Sequence, residues 1–398
     1  MTPLAVTHFT LASALGIGCA PTLAALQAGR TGLARQTFET ADMPTWLGLV
    51  AGADDVVLAD DLAAFDCRNN RIAHLALHAD GFADHARAAA ARWGAARVGV
   101  FLGTSTAGIL QTEIAYRQRD PDTGALPASL QYATAPNTYS VARFVRQALG
   151  LQGPASVVST ACSSSAKVFA MAQRCIAAGL IDAAVVGGVD SLCLTTLYGF
   201  RALELLSPDI CRPWDAHRNG LSLGEGAAFA LLQRDPDSVA GWLLGAGESS
   251  DGHHMSSPHP EGAGAALAMR AALAQAGLQP HQVDHLNLHG TGTPGNDAAE
   301  AVAVHSVFGP GLPCSSTKGH TGHTLGAAGG VEAAIALLAL QHGLMPGGLN
   351  VLTPDATLNV SYLREARNGA LRVVASNSFG FGGSNACLLF GHAAGTPA

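Results

Sequence analysis

One cysteine lies where its thiol could act as a nucleophile. Cys162 follows the apolar segment 155–161, which predicts a buried strand, and opens the segment 162–178, which predicts an apolar helix ending at Gly179. The N–H groups at a helix N-terminus stabilise a thiolate and lower the pKa of the thiol. We therefore expect Cys162 to be a covalent catalyst, and the other seven cysteines to be buried structural thiols.

Two histidines follow short apolar strands in the second half of the chain. His289 opens the segment HGTGTPGND, and His323 ends the segment KGHTGH, five residues after Lys318. Like-charge repulsion from a lysine keeps an imidazole neutral, so that it can donate a hydrogen bond to a carbonyl oxygen. Glu332, in the helical segment that follows, is predicted to pair with Lys318. Together with Cys162 these residues predict a Cys-His-His centre.

The same loops have two other interpretations. Gly290, Gly292 and Gly295 have the G-x-G-x-x-G spacing of dinucleotide-binding loops. Such loops are followed about 20 residues later by an acidic residue for the ribose, but no Asp or Glu occurs between Glu300 and Glu332. The sequence therefore disfavours NAD. Taken by itself, the segment 318–323 would also fit a phosphate-binding loop.

The histidine spacing does not favour a metal site. His285 and His289 have the i, i+4 spacing of a helical metal pair, and His320 and His323 could join them. On a strand, however, residues four apart are about 13 Å from each other, too far to bind one ion. No carboxylate accompanies these histidines, so we expect no metal.

Composition excludes several functional classes. The chain of 398 residues has a net charge of −7 and no run of Lys or Arg, which argues against nucleic acid. Its eight cysteines form no C-x-x-C pair, as expected for reduced thiols in the cytoplasm. The apolar N-terminal stretch has no basic residue before Arg30, unlike a signal peptide. Gly, Pro and Thr interrupt the uncharged runs, so no membrane span is predicted.

Low charge also predicts extensive burial. Charged residues make up 13% of the chain, against roughly 25% in ordinary soluble domains. The chain has 47 glycines and several Ala-rich helical segments. We expect closely packed helices and a large subunit interface.

Apolar strands alternate with helices along the chain. The predicted strands have continuous rather than alternating apolar residues, and lie at 98–106, 155–161, 182–189, 226–234, 285–289, 313–317 and 372–378. Further helices are predicted at 265–276 and 325–342. Continuous apolar strands indicate a sheet covered on both faces, and hence an α/β protein.

A weak internal repeat divides the chain. VVSTACSSSAKVFAMAQRCIAAG and CSSTKGHTGHTLGAAGGVEAAIALLALQHG share the plan of a strand ending in Ser-Thr, a loop and an apolar helix. We expect two similar halves, 1–240 and 241–398, packed as one body. Each half should bring one strand-to-helix junction to a shared centre.

Four motifs in order resemble the β-ketoacyl-[acyl-carrier-protein] synthases. They are STACSSS around Cys162, HGTGTPGND at His289, STKGHTGH with Lys318 and His323, and NSFGFGGSNA at 377–386. The similarity is to the elongating type I/II condensing enzymes and extends from about residue 5 to residue 391. It implies the thiolase fold, with two fused βαβαβ halves in a five-layered α/β/α/β/α body, usually dimeric.

The resemblance also implies a reaction and a set of roles. Cys162 would take an acyl chain from acyl carrier protein, and His289 and His323 would assist decarboxylation of malonyl-carrier-protein, giving a 3-oxoacyl product and CO2. The N–H groups of Cys162 and Phe381 would form the oxyanion hole, with Phe381 also gating the acyl pocket. The remaining substrate-binding residues would be Thr291 and Thr293, which hold the phosphopantetheine arm, together with Phe379 and Glu332. No cofactor of its own is implied, because the carrier protein supplies that arm.

Related classes fit less well. Thiolases use a second cysteine and lack the His-Lys motif, and initiating condensing enzymes have Asn in place of the second His. A chain-length factor, a non-catalytic subunit that shapes its partner's pocket, usually lacks the nucleophile. Two stretches, 67–77 and 101–109, resemble condensing enzymes of aryl polyene pathways, which would favour a heterodimer with a chain-length-factor homologue over a homodimer.

One position departs from the primary fatty-acid enzymes. Glu204 occupies a position near which those enzymes often have a basic residue that docks the carrier protein. Arg68, Arg71 and Arg201 are predicted to substitute for it.

Overall fold

Strands and helices alternate as the apolar segments predict. The computed structural model describes residues 2–392. Within that range the strands are β1 (Leu4–Ser13), β2 (Gly16–Ile17), β3 (Ala34–Gln36), β4 (Thr45–Gly48), β5 (Val98–Gly103), β6 (Ala155–Val158), β7 (Ala183–Asp190), β8 (Leu223–Gly224), β9 (Gly226–Gln233), β10 (Gly241–Ser250), β11 (His285–Asn287), β12 (Pro313–Ser315), β13 (Leu344–Met345), β14 (Ser361–Tyr362), β15 (Arg367–Asn368), β16 (Val373–Gly380) and β17 (Ser384–Gly391). The α-helices are α1 (Cys19–Gln27), α2 (Arg68–Leu77), α3 (Phe82–Trp93), α4 (Ile109–Arg117), α5 (Ser140–Ala148), α6 (Ser164–Ala177), α7 (Leu194–Ala202), α8 (Ala263–Ala276), α9 (Pro294–Phe308), α10 (Lys318–Thr321) and α11 (Ala328–His342).

The main sheet consists of two groups of strands with mirrored order. From one edge to the middle it runs β6-β5-β7-β9-β1, and from the middle to the other edge β10-β17-β16-β11-β12, followed by β14. In the first group β5 is parallel to β6 and β7, while β9 is antiparallel to β7 and β1. In the second group β11 is parallel to β12 and β16, while β17 is antiparallel to β16 and β10. The mirrored order is the duplication that the sequence repeat predicts, and the two groups join where β1 pairs with β10.

Helices cover both groups of strands and produce five layers. Helices α2, α3 and α5 pack on the outer face of the first group, and α8 and α9 on the outer face of the second. Helices α6 and α11 pack against each other and share one apolar core with strands of both groups. The order is therefore helix, sheet, helix, sheet, helix, as the thiolase fold requires. The division of the chain at residue 240 stays a prediction.

Continuous burial explains the apolar strands. Every residue of β5, β7 and β9 is buried, because each of these strands has helices on both faces. Two helices end at glycines as predicted, since α8 and α11 are followed by Gly277 and Gly343 in the left-handed conformation. Within residues 2–392 one helical stretch, Leu325–His342, is long and apolar enough to cross a membrane, but 89% of it is buried inside the protein. It is the central core helix.

Candidate active site

Cys162 lies at a sharp turn between β6 and α6. The turn requires a left-handed conformation at Ala161, with φ of 52°. The Ser163 hydroxyl donates to the Thr160 carbonyl over 2.9 Å, while the Ser164 hydroxyl accepts from the Thr160 N–H at 2.9 Å and donates to the Ala161 carbonyl. The two serines therefore fix the turn that presents the thiol.

The predicted lowering of the thiol pKa is wrong for the resting protein. Helix α6 begins at Ser164, two residues after the thiol, rather than at residue 162. Cys162 is 6% exposed, and burial raises its pKa to about 12, although the charge of Lys318 acts in the opposite direction. The thiol is therefore protonated at neutral pH, and its reaction needs a base.

His323 lies next to this thiol. It precedes α11, as Cys162 precedes α6, so the two mirrored junctions meet at the centre of the molecule. Its Nε2 lies 2.9 Å from Sγ of Cys162. The main chain around it is fixed by β8, because the His323 N–H donates to the Ser222 carbonyl over 2.7 Å and the Gly224 N–H donates to the His323 carbonyl over 3.0 Å.

A buried carboxylate positions His289. The N–H groups of His289 and Gly290 each donate over 2.8 Å to the Glu300 carboxylate, which belongs to α9. Gly290 has φ of 36°, and a Cβ there would lie 2.5 Å from Cβ of Ser316, so the loop needs glycine. The G-x-G spacing thus shapes a turn around the catalytic loop. Sequence reasoning missed Glu300. The only sequence feature that could have indicated it is an acidic residue eleven positions after His289.

Lys318 contacts His289, a contact that the sequence did not predict. Its Nζ lies 3.4 Å from Nδ1 of His289, and it also donates to the His289 carbonyl and to Glu332. An ammonium group can only donate, so Nδ1 accepts and the ring proton lies on Nε2. The predicted pairing of Lys318 with Glu332 is confirmed.

Burial keeps both imidazoles neutral. His289 and His323 are 2% and 1% exposed, and burial, together with the charge of Lys318, lowers the pKa of both well below the usual 6.5. Burial also raises the pKa of Glu332 to about 7, while Lys318 opposes that shift. The neutral imidazole predicted for His323 is therefore confirmed, and the pKa of His289 is lowered in the same way.

A cleft of about 370 Å³ opens onto the three reacting side chains. Cys162, His289 and His323 line its inner end, and exposed residues of the segments 257–260 and 294–295 form its rim. Thr291 and Thr293 line the cleft between these regions, with their hydroxyl oxygens 2.9 Å apart. The cleft has the form needed to admit an arm with a reactive end.

Two phenylalanines predicted for the site also line the cleft. The ring centroids of Phe379 and His289 are 5.7 Å apart, and the ring of Phe381 lies at the same distance from that of Phe200, tilted by 38°. Gly380 between them lies so close to the nucleophile turn that a Cβ would be 3.2 Å from the N atom of Cys162. The GFGG turn and the cysteine turn are thus in contact.

Glu332 differs from the other predicted substrate-binding residues. It is 3% exposed, lies against Lys318 and is absent from the lining of the cleft. Its contacts indicate that it balances the charge of Lys318 rather than touching substrate.

A second buried carboxylate, Asp190, was missed by sequence reasoning. It accepts hydrogen bonds from the N–H groups of Ser105 and Thr106 at 2.8 Å and from the Thr104 hydroxyl at 2.7 Å. It also accepts from the N–H of Gly326, just before α11. Asp190 therefore ties the end of β7 to the segment that follows His323.

His285 and His320 have hydrogen-bond partners of their own. Nε2 of His285 is 3.3 Å from the Ser315 hydroxyl, and the two ring nitrogens of His320 lie 3.0 Å and 2.9 Å from the carbonyls of Arg30 and Gly347.

The predicted docking arginines have different surroundings. Arg68 is 8% exposed and pairs with Glu225 and Asp54, so its assignment as a docking residue is wrong. Arg71 pairs with Asp66. Arg201 is exposed on α7 and stays a prediction.

A thiol and two neutral imidazoles lie at the centre of a five-layered α/β/α/β/α body, the arrangement that the resemblance to the condensing enzymes of the thiolase fold predicts. Residues 70–238 match the family described as "Beta-ketoacyl synthase, N-terminal domain", and residues 240–352 match "Beta-ketoacyl synthase, C-terminal domain". The chain belongs to the β-ketoacyl synthase family, and the resemblance predicted from its motifs is confirmed.

Individual relatives agree with this assignment. The chain is 32% identical to 3-oxoacyl-[acyl-carrier-protein] synthase 2 of Vibrio cholerae, over 97% of the chain and 98% of that protein. It is 41% identical to a mitochondrial 3-oxoacyl-[acyl-carrier-protein] synthase of Arabidopsis thaliana, over 61% of the chain and 57% of that protein. Among solved structures, the ketosynthase in complex with its chain length factor from Xenorhabdus doucetiae is 35% identical, with a TM-score of 0.86 over 98% of both chains.

Proposed function

We propose that this protein is a 3-oxoacyl-[acyl-carrier-protein] synthase that extends an acyl chain by decarboxylative condensation with malonyl-carrier-protein. The observation that carries the proposal is the contact of 2.9 Å between Sγ of Cys162 and Nε2 of His323 at the inner end of the cleft. A nucleophile and a base within hydrogen-bond distance are what acyl transfer to a thiol requires.

In the first half-reaction Cys162 attacks the acyl thioester. Its proton passes to His323 as the new carbon–sulfur bond forms, and then to the leaving phosphopantetheine thiolate. The N–H groups of Cys162 and Phe381 stabilise the oxyanion of the tetrahedral intermediate. The close packing of Gly380 on the cysteine turn supports this assignment, because it brings the two backbone segments together.

In the second half-reaction malonyl-carrier-protein loses CO2, and the enolate attacks the acyl group on Cys162. His289 and His323 donate hydrogen bonds to the malonyl thioester oxygen, on which negative charge develops. The proton on Nε2 of His289, which Lys318 fixes there, supports the role of His289 as a donor. The attack breaks the Cys162–acyl bond, releases the 3-oxoacyl product, and leaves a thiolate that takes up one proton.

Thr291 and Thr293 are proposed to bind the phosphopantetheine arm, since both line the cleft between its rim and the reacting groups. The reaction needs no metal or organic cofactor of the protein's own, because the thiol and imidazoles supply the nucleophile, base and donors. We propose a cytoplasmic location.

The partners of the enzyme are acyl carrier protein and a second subunit. Relatives are named 3-oxoacyl-[acyl-carrier-protein] synthases, and a similar solved structure is that of a ketosynthase in complex with its chain length factor. Strand β6 ends the sheet, and its four residues are half-buried, so it offers an edge for another subunit. Light scattering should give about twice the chain mass of 40.4 kDa, alone or with a homologous partner. A stable, active monomer would contradict this.

A non-catalytic chain-length factor is the alternative function. Reconstitution separates the two: the protein is incubated with malonyl-carrier-protein and a panel of acyl-carrier-proteins, with and without a chain-length-factor homologue. We expect 3-oxoacyl-carrier-protein from the wild type and none from Cys162→Ala. The same panel tests the predicted aryl polyene pathway. No product from the wild type under any of these conditions would favour the alternative.

A further inference from the structure

Helix α10 and the loop that follows it provide two groups of the reacting centre. Lys318 is the first residue of this helix, and its Nζ lies 3.4 Å from Nδ1 of His289. His323 follows two residues after the helix and contacts Cys162. All four residues of α10 are buried, and a helix of one turn has few hydrogen bonds of its own. Contacts from outside must therefore set the position of α10.

The ring of His320, in α10, lies between two segments that are distant in the sequence. Its Nδ1 is 3.0 Å from the Arg30 carbonyl, and its Nε2 is 2.9 Å from the Gly347 carbonyl. The side chain is fully buried. On the side of Arg30 there is also a main-chain bond, because the Gly32 N–H donates to the His320 carbonyl over 2.8 Å. His320 thus connects α10 with the segment 30–32 on one side and with Gly347 on the other.

We propose that His320 is a positioning residue that holds Lys318 and His323 in place for catalysis. It is absent from the lining of the cleft, so it acts through these two groups and not on the substrate. The inference rests on the proposed function, in which both groups take part. A misplacement of about 1 Å in a reacting group can cost about 100-fold in rate.

A neutral His320 ring donates to only one of the two carbonyls. Carbonyl oxygens can only accept, and a neutral imidazole has a single N–H. Burial lowers the pKa of His320, and the two carbonyl contacts oppose that effect without cancelling it. The bond from Gly32 already holds α10 on the side of Arg30, so donation from Nε2 to Gly347 holds it on the other side as well. The ring proton is therefore assigned to Nε2.

The first test measures the release of CO2 from malonyl-carrier-protein by variants of His320. His320→Met fills the space but has no donor, and we expect a kcat about 100-fold lower with KM little changed. His320→Gln places an amide N–H near the position of Nε2 and should restore most of kcat. His320→Asn places its amide near the position of Nδ1 and should not restore it.

His285→Met separates positioning from a general loss of stability. His285 is also buried, and its Nε2 lies 3.3 Å from the Ser315 hydroxyl, a contact outside α10. Urea unfolding should show similar destabilisation of His285→Met and His320→Met, while kcat falls only in the latter. Thr31→Val removes a hydroxyl that donates to the Gly319 carbonyl of α10 over 2.8 Å, and should lower kcat by a smaller factor than His320→Met.

Amide hydrogen exchange tests the same contacts in the full-length protein without substrate. In His320→Met, exchange should become faster at the N–H groups of Gly32 and Gly322, which donate to the carbonyls of His320 and Lys318. His285→Met should leave both rates unchanged. This measurement does not depend on the proposed function. A wild type that releases no CO2 would contradict that function, and the exchange rates would still decide whether His320 holds α10.

Three outcomes would overturn the proposal. They are unchanged amide exchange in His320→Met, an unchanged kcat in the same variant, and an equal fall of kcat in His285→Met. Restoration of kcat by His320→Asn in place of His320→Gln would overturn the assignment of the ring proton to Nε2.

Discussion

At the scale of single residues, one ammonium group sets the hydrogen-bonding state of His289. Lys318 lies against Nδ1 of this ring, so Nε2 carries the proton. A neutral donor stabilises developing enolate charge without gaining or losing a proton during the step.

Lys318→Met should therefore impair decarboxylation in the same way as His289→Ala does. We expect roughly 100-fold slower release of CO2 from malonyl-carrier-protein, with transfer of the acyl group to Cys162 little changed. Lys318→Met leaves the buried carboxylate of Glu332 without its partner. The double variant Lys318→Met/Glu332→Gln also removes that carboxylate and serves as the folding control. A variant that loses acyl transfer but keeps decarboxylation would contradict the contact with His289.

The two histidines should differ in the first half-reaction. His323 is the group 2.9 Å from the thiol, so His323→Ala should slow both acyl transfer and decarboxylation, whereas His289→Ala should slow decarboxylation alone. Loss of one donor to a developing oxyanion costs about 100- to 1000-fold in rate. The two rates are measured separately, and equal acyl transfer in both variants would be inconsistent with His323 as the base.

The raised thiol pKa predicts a steep pH dependence. Burial raises the pKa of Cys162 to about 12, so the thiolate fraction, and with it the alkylation rate by iodoacetamide, should rise about tenfold per pH unit between pH 6 and 9. The half-exposed Cys175 is the internal reference. An alkylation rate at Cys162 that no longer rises with pH at pH 7 would contradict this prediction, because the thiol would then already be ionised in the resting protein.

Sequence reasoning found the reacting residues but not all their contacts. Cys162, His289 and His323 were predicted to meet, because each follows a strand in a loop of small residues. Lys318 and His289 are 29 positions apart in the sequence, and no periodic pattern predicts their contact. Glu300 and Asp190 were missed because a buried carboxylate that accepts main-chain hydrogen bonds has no distinct local pattern.

At the scale of elements, two helices in equivalent places of the two groups of strands position the reacting side chains. Helix α6 follows the Cys162 turn and α11 follows His323, and the two helices contact each other in the central layer. Their contact depends on Gly329, where a Cβ would lie 2.6 Å from the N atom of Ala166.

Gly329→Ala should therefore destabilise the protein. Overpacking at the contact between α6 and α11 is expected to cost about 1–3 kcal/mol in the free energy of unfolding. Gly199→Ala is the matched control, because Gly199 also lies in a helix but has open space around it, and alanine should gain up to about 1 kcal/mol there. Urea unfolding measures both. Unchanged stability of Gly329→Ala would contradict the close helix contact.

Strand positions followed from the sequence more closely than helix starts. Continuous apolar runs predicted β5, β7 and β9, because burial on both faces confines the polar residues of these strands to their last positions, Asp190 in β7 and Gln233 in β9. The sequence placed the start of α6 two residues too early. The serine hydroxyls that hold the turn at 161–163 compete with the first helical hydrogen bonds.

At the scale of the whole molecule, duplication explains the position of the site. Two groups of strands with mirrored order pack around α6 and α11, so the residues that precede these helices must meet. The weak repeat in the sequence predicted this meeting. The joining of both groups into one continuous sheet was not predictable, because it depends on only three paired residues of β1 and β10.

The most direct measurement is the mass of the Cys162 peptide during one reaction cycle. After incubation with acyl-carrier-protein, we predict that the acyl mass is on Cys162 and on none of the other seven cysteines. Addition of malonyl-carrier-protein should remove it, while CO2 and 3-oxoacyl-carrier-protein form in equal amounts. Product formation without acylation of Cys162, or an acyl group that malonyl-carrier-protein does not remove, would contradict the mechanism.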